Sequence, residues 1–352
     1  MKLFYIVSII VIFSLGCATP DKPVPDAEAF TAPESIQPII DKAEAGDAEA
    51  QWSLASLIHD GIGVERDNER VVYWLRRAAE QDHAQSQYML SLAHQVGQGV
   101  GEDLGQARHW LRKAAGNGHS EAMYDLAKFL ALGIGGEADE SESMKWCRAS
   151  AEQGFATAQA RLGAIHIEGE YGVDKNPDEG AKWIFKAAEQ EHPEGMHLAG
   201  LAYLNGWGVE KDAKKMDEWA TRAAEVGHLQ AQFNLSFMLI KGEILDEDPV
   251  RASRFMEMAA RQNHPVAQFN LGMYHFKGSG GKKDLARAYF WFSVAADRHK
   301  EAVNFVNHIS VDLSPQEILK QMKLANEFKK QFTSGNELKN ADTRPKKLFD
   351  TK

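Results

Sequence analysis

The sequence predicts an all-α solenoid of about seven helix–turn–helix units, and three observations carry that prediction. First, an aromatic followed by a pair of small residues recurs as Trp74…Ala78-Ala79, Trp110…Ala114-Ala115, Trp146…Ser150-Ala151, Trp183…Ala187-Ala188, Trp219…Ala223-Ala224, Phe255…Ala259-Ala260 and Trp291…Ala295-Ala296. The steps between successive aromatics are 36, 36, 37, 36, 36 and 36 residues, and a fixed period of this length marks a helical repeat array. Second, each aromatic is preceded by a small–large–small triad such as Ala50/Leu54/Ala55 or Ala122/Leu126/Ala127. Positions four apart share a helix face, so the triad describes a helix that a neighbour approaches closely. Third, a glycine-bearing turn separates triad from aromatic, as at Gly61/Gly63 and Gly206/Gly208, and an aspartate follows it.

A chain of 352 residues would ordinarily divide into two or three domains. The period replaces that expectation with one elongated array whose units touch only their neighbours. The composition, 44% hydrophobic and 26% charged, is that of a folded body. A net charge of −10 argues against nucleic acid as a partner, which needs a basic stripe to engage phosphates. The two cysteines, Cys17 and Cys147, fall in a leader and in a repeat helix, so the array is expected to hold by packing alone.

Residues 1–16 read as a signal peptide. Met1-Lys2 is followed by an apolar run, Leu3 to Leu15, shorter than the ~20 residues of a membrane span and suited to a signal-peptide core. The run ends Ser14-Leu15-Gly16-Cys17-Ala18, which resembles the lipobox of bacterial lipoproteins. Gly16 and Cys17 match it, while Ser14 and Leu15 stand in swapped order. The resemblance implies cleavage before Cys17 and lipidation of its thiol. With Ala18 next, it implies an outer-membrane lipoprotein facing the periplasm; the alternative is a soluble periplasmic or secreted protein. Residues 17–38, rich in proline and acids, read as a flexible tether. Membrane contact is then expected through the lipid only.

Within the array, a capping helix is expected over 39–46 and the seven units over 47–299. The first glycine of each turn falls at a helix end, where a left-handed backbone is cheap for glycine. Asp67, Asp103, Asp139, Asp212, Asp248 and Asp284, with Asn176 in the fourth unit, stand where they can cap the second helix. Capping helices are expected over 300–332, with Ser314-Pro315-Gln316-Glu317 as the start of the last one. Residues 333–352, polar and without periodicity, are expected to be disordered.

These units resemble Sel1-like repeats, relatives of tetratricopeptide repeats. Residues 193–228 carry the pattern most fully, through Tyr203, Gly206, Gly208, Val209, Asp212, Trp219, Ala223, Ala224 and Gly227. The sixth unit lacks the second glycine and the tryptophan, and the fourth has one inserted residue near Tyr171. The resemblance implies a right-handed superhelix whose first helices line the concave side. Some relatives act on β-lactams and carry a disulfide in every repeat; this chain lacks those cysteines, so that activity is not carried over.

Chemistry-bearing motifs are absent: there is no His-Glu-x-x-His, Cys-x-x-Cys, Gly-x-Ser-x-Gly or phosphate loop. No catalytic residue, metal ligand or cofactor is expected. His83, His119, His192, His228, His264 and His299 close their repeats one unit apart, except where Phe155 intervenes. That is too far for ligands that converge within ~2 Å of one metal, and turn or junction roles are expected instead. His94, His166 and His275 share the column of Tyr203 and read as part-buried packing groups. Recognition is expected along one face of the first helices, at Ser53/Asp60, Met89/Val96, Asp125/Leu132, Arg161/Glu168, Leu198/Asn205, Asn234/Lys241 and Asn270/Lys277. From the fourth unit on, Arg161, Glu168, Asn205, Asn234, Lys241, Asn270 and Lys277 form its polar part, with Asn234 and Asn270 placed to clamp an extended peptide. The function this implies is a non-catalytic scaffold of the bacterial envelope that binds a protein or peptide. The alternatives are an envelope enzyme or cell-wall-glycan binder, or a secreted host-interaction factor.

Overall fold

The computed structural model describes residues 34–279 and 282–339, with side chains as far as 332. The signal peptide, Cys17, most of the tether and residues 340–352 lie outside the described residues. A capping helix, α1 (Gln37–Glu44), precedes seven antiparallel pairs. These are α2 (Ala48–Asp60) with α3 (Asn68–Ala79), α4 (Ala84–Val96) with α5 (Leu104–Gly116), and α6 (Ser120–Leu132) with α7 (Glu140–Glu152). Then come α8 (Ala156–Glu168) with α9 (Pro177–Glu189), α10 (Pro193–Asn205) with α11 (Ala213–Glu225), and α12 (Leu229–Lys241) with α13 (Pro249–Arg261). The last pair is α14 (Pro265–Lys277) with α15 (Leu285–Ala295), after which α16 (Lys300–Ile309) and α17 (Pro315–Lys339) close the chain. From α1 to α16 each helix packs on its neighbours in the chain; α17 folds back on α15, and α8 also touches α10. This is an all-α solenoid, with no strand among the described residues.

The columns explain the pairing. Leu54, Leu90, Leu126, Leu162, Leu235 and Leu271 are all at most 1% exposed, as are both members of the alanine pairs in α3, α5, α9, α11 and α13. Each leucine removed from water stabilises the array by roughly 1.5–3 kcal/mol. Trp74, Trp110, Trp183, Phe255 and Trp291 are buried in the same layers, whereas Trp146 and Trp219 are half-buried. The aromatic phrase is therefore a packing element.

The helix ends are set locally. In every second helix of the seven pairs the Asp or Asn N-cap side chain accepts backbone N–H bonds from the first turn. Gly61, Gly97, Gly133, Gly169, Gly206, Gly242 and Gly278 each end a first helix in the left-handed region. The second turn glycine has a different cause. A Cβ on Gly135 would lie 2.1 Å from the Leu104 carbonyl oxygen, and one on Gly99 2.0 Å from that of Asn68. At these positions the turn of one unit touches the start of the preceding unit's second helix.

Two boundaries differ from expectation. The N-terminal cap begins at Gln37, behind a turn over 34–36, and ends at Glu44. The last helix does not stop near Phe332 but continues to Lys339, so residues 333–339 are helical and not disordered. No proline falls in that stretch, and a single Gly335 costs about 1 kcal/mol, too little to end a helix already propagated from a packed segment.

Candidate interaction surface

The face formed by the first helices divides into two rows. Its inner row, one residue before the column leucine, is Ser53, Met89, Asp125, Arg161, Leu198, Asn234 and Asn270. Met89 is buried and the others are half-buried, because this row lies near the seam between successive first helices. The outer row, seven residues on, is Asp60, Val96, Leu132, Glu168, Asn205, Lys241 and Lys277; all but Val96 are exposed. The outer row changes sign along the array, from Asp60 and Glu168 to Lys241 and Lys277.

The polar members are held differently. Arg161 Nη2 donates to Glu170 Oε2 at 2.8 Å and to the Tyr171 hydroxyl at 3.3 Å, with its guanidinium 5.6 Å from the Tyr171 ring centre. Arg161 is thus committed to the inserted turn of the fourth unit, where Tyr171 takes a φ of +54°. Burial and the neighbouring Glu170 carboxylate push the Glu168 carboxyl up from its ordinary value. Asn205 donates back to the Leu201 carbonyl at 2.9 Å. Asn234 accepts from Gln230 Nε2 at 2.7 Å and borders a narrow cleft between α10 and α12 that includes Leu201, Leu204 and Met238. Lys241 Nζ sits 5.1 Å from the ring centre of Phe237, which is 43% exposed, and 3.9 Å from Glu243. The structure therefore brings Asn234, Lys241, Phe237 and the cleft together. Arg161 and Glu168 belong to a separate cluster two units away.

The repeat-closing histidines are more than turn residues. His83, His119, His192, His228 and His264 are N-caps whose Nδ1 accepts the backbone N–H three residues on. Four of them reach back across the joint through Nε2, to Glu49 at 3.2 Å, Gln85 at 2.9 Å, Thr157 at 3.2 Å and Glu194 at 2.8 Å. Their position immediately before each first helix is readable as an N-cap, but the bridge across the joint is not. Phe155, in the same column, caps nothing and packs 5.7 Å from the Tyr124 ring.

A buried amide ladder went unread in the sequence. Gln51, Gln87, Gln159, Gln232 and Gln268 donate to the carbonyls of Ala43, Ala79, Ala151, Ala224 and Ala260. Gln51, Gln87, Gln159 and Gln232 also accept from Gln81, Asn117, Gln190 and Gln262 of their own units' closing turns. The recurrence of glutamine at the fourth position of the first helix was the available signal. Among the described residues no group of three His, Cys, Asp or Glu side chains could hold a metal ion, and no helix is long and apolar enough to cross a membrane.

Comparison with known proteins agrees with this architecture. The Sel1 repeat family model matches residues 48–83, 84–119, 120–155, 156–192, 193–228, 229–264 and 265–299. The chain is similar to the crystal structure of a protective antigen present in uropathogenic Escherichia coli strains, which displays an SLR fold. The identity is 28% and the TM-score 0.73, over 88% of this chain and 66% of that one. It is also similar to a Sel1 repeat protein from Oxalobacter formigenes, at 28% identity and a TM-score of 0.66, over 78% of this chain and 80% of that one. No curated protein matches.

Proposed function

This chain belongs to the Sel1 repeat family, whose repeats generally form non-catalytic scaffolds for protein–protein interaction, and on that premise we propose an envelope scaffold that binds an extended, acidic segment of a partner protein along the first helices of units five to seven. One observation carries the reading. The caps, leucines, alanines and glycines recur along the whole array, while the first-helix face changes along it, turning from acidic to basic and settling on the same Asn/Lys pair in units six and seven. Repetition along the whole array serves packing, so recognition falls to the face that changes.

The chemistry of the partner follows from the groups present. Lys241 and Lys277 present cations at successive units of a chain whose net charge is −10, and opposite charge steers and orients a ligand. The exposed Phe237 ring offers a contact for one apolar side chain, whereas the cleft bordered by Leu201, Leu204 and Met238, with about 10 Å³ of free volume, is too small to admit one. Asn234 has its oxygen committed to Gln230, so its amide nitrogen is the donor it offers to a peptide carbonyl, and Asn270 repeats the position one unit on. A rigid array that orders little on binding retains more of its contact energy as affinity. Cys17 would carry the lipid, and the residues between it and the turn at 34–36 the tether, holding the array at the outer membrane on its periplasmic side.

Selection from a random peptide display library on the purified array tests this. Acidic peptides with interspersed apolar residues are expected. Asn234→Ala/Asn270→Ala should weaken their binding by more than tenfold, since each lost hydrogen bond costs about 1 kcal/mol, with the thermal midpoint unchanged. Peptides without acidic bias, or undiminished binding to the double variant, would sink the proposal. The similar protein from uropathogenic Escherichia coli is a protective antigen, which favours a second reading in which this chain faces a host. Protease digestion of intact cells separates the two: a periplasmic array survives it and a surface-exposed one does not.

A further inference from the structure

The joints between units share one design. In every unit but the fourth, whose fifth position is Ala160, the ring that closes the unit lies against a ring at the fifth position of its first helix. His83 lies near Trp52 with ring centres 6.0 Å apart, His119 on Tyr88 at 4.5 Å, His264 on Phe233 at 4.5 Å and His299 on Phe269 at 3.9 Å. At the joint between units five and six the supporting ring is itself an imidazole: His197 stacks beneath His228, with centres 4.5 Å apart and planes 27° from parallel.

We propose that this joint is the array's most acid-sensitive hinge: a proton taken up by either of its two stacked imidazoles loosens the contact between units five and six more than at joints where a single capping histidine lies on a ring that carries no charge. Three features of the geometry support it. His197 is 7% exposed, so a charge on it is poorly hydrated and lies against the neighbouring ring. His228 uses both nitrogens. Nδ1 accepts the Ala231 N–H, while Nε2 meets Glu194 Oε2 at 2.8 Å. A carboxylate partner fixes the neutral tautomer with its hydrogen on Nε2, so a second proton must enter at Nδ1 and abolish the cap. The joint also opens to solvent through a groove lined by Pro193, Glu194, Val226, Leu229 and His264, which gives protons access.

The titratable groups facing the pair are Glu194 and His192 at the start of the fifth unit and His264 across the groove. Glu194 is the one carboxylate among the residues lining that groove, and its hydrogen bond with His228 holds its carboxyl below the ordinary range. Burial, followed by the neighbouring His228, lowers His197 from 6.5 to about 4. The folded-state value lies below the unfolded one. Stability from His197 is therefore present above about pH 6.5 and is lost as pH falls from there towards 4.

Hydrogen exchange across the joints tests this directly. Between about pH 7.5 and about pH 5, exchange at residues 226–239, corrected for its intrinsic pH dependence, should rise on the order of tenfold relative to the joint between units six and seven. His197→Phe, which copies Phe233 and Phe269, should remove that excess. Equal changes at both joints, or an undiminished excess in the variant, would overturn the hinge. Ring-proton NMR titration of the native chain decides the matter even if the variant does not fold. A His197 midpoint well below the ordinary 6.5 is expected, and an ordinary midpoint for His197 would refute the proposal.

Discussion

At the scale of single residues, the joints rest on groups too small or too specific to replace. Gly135 and Gly172 both take φ values near +70°, and both are the second glycine of their turns. They differ in surroundings. A Cβ at Gly135 would strike the Leu104 carbonyl at 2.1 Å, whereas nothing lies within 4 Å of one at Gly172, in the turn that carries the insertion. Gly172→Ala should therefore lose only the left-handed backbone penalty of about 1–2 kcal/mol. Gly135→Ala adds the forced displacement of a neighbouring backbone and should cost at least about 1–3 kcal/mol more. Denaturant unfolding of the two variants makes the comparison, and equal losses would show that the turn does not touch the preceding unit. Ile244 takes this place in the sixth unit and is 43% exposed. The missing glycine noted in the sequence thus coincides with a turn that leaves its side chain towards solvent.

Between elements, first helices are tied to the closing turns by the amide ladder. Gln232 links the Ala224 carbonyl to Gln262 with bonds of 2.9 and 2.8 Å. The fifth unit replaces the equivalent pair with Met196 and Val226, where Met196 is buried. Gln232→Met deletes both bonds, but the Ala224 carbonyl keeps the Gly227 N–H and the Gln262 amide keeps the Gly227 carbonyl, so neither group is orphaned and each lost bond costs about 1 kcal/mol. Gln232→Met alone should therefore destabilise the chain by about 2 kcal/mol, and Gln262→Val added to it should cost less than the sum of the single changes. A double-mutant cycle by chemical denaturation reads the coupling, and strict additivity would mean that the Gln232–Gln262 bond contributes nothing. The difference between what the sequence revealed and what it concealed has the same origin. Leu54, Asp67 and Trp74 each do their work within their own unit, by helix periodicity and backbone geometry, and so announced themselves by recurrence. Gln51 also bonds the Ala43 carbonyl of the helix before its unit, and His83 caps the next unit's first helix while reaching back to Glu49, so their pairing depends on how successive elements stack. The split of the recognition face into a half-buried inner row and an exposed outer row was hidden for the same reason.

Over the whole molecule, the array behaves as a line of near-identical joints with one altered link and one altered surface. Its stability is the sum of unit and nearest-neighbour terms. A change in one joint therefore repositions everything beyond it without disturbing the packing before it. The His197–His228 joint stands inside the stretch, units five to seven, where the outer row turns basic, so acid acting there would alter the surface assigned to the partner. The long helix α17 closes the far end against α15 through Gln321 and Ala325, both buried. It leaves Leu319 and Met322 exposed, so the apolar residues at that end are only partly covered by the chain's own cap. On the proposed reading, the buried columns of both helices hold the array together and the exposed first-helix face of units five to seven recognises the partner. Hydrogen-exchange mapping of the array with and without a selected acidic peptide separates these roles. Protection confined to the C-terminal halves of α10, α12 and α14 is the predicted result, and protection centred on α9, α11 and α13, or on units one to three, would contradict it.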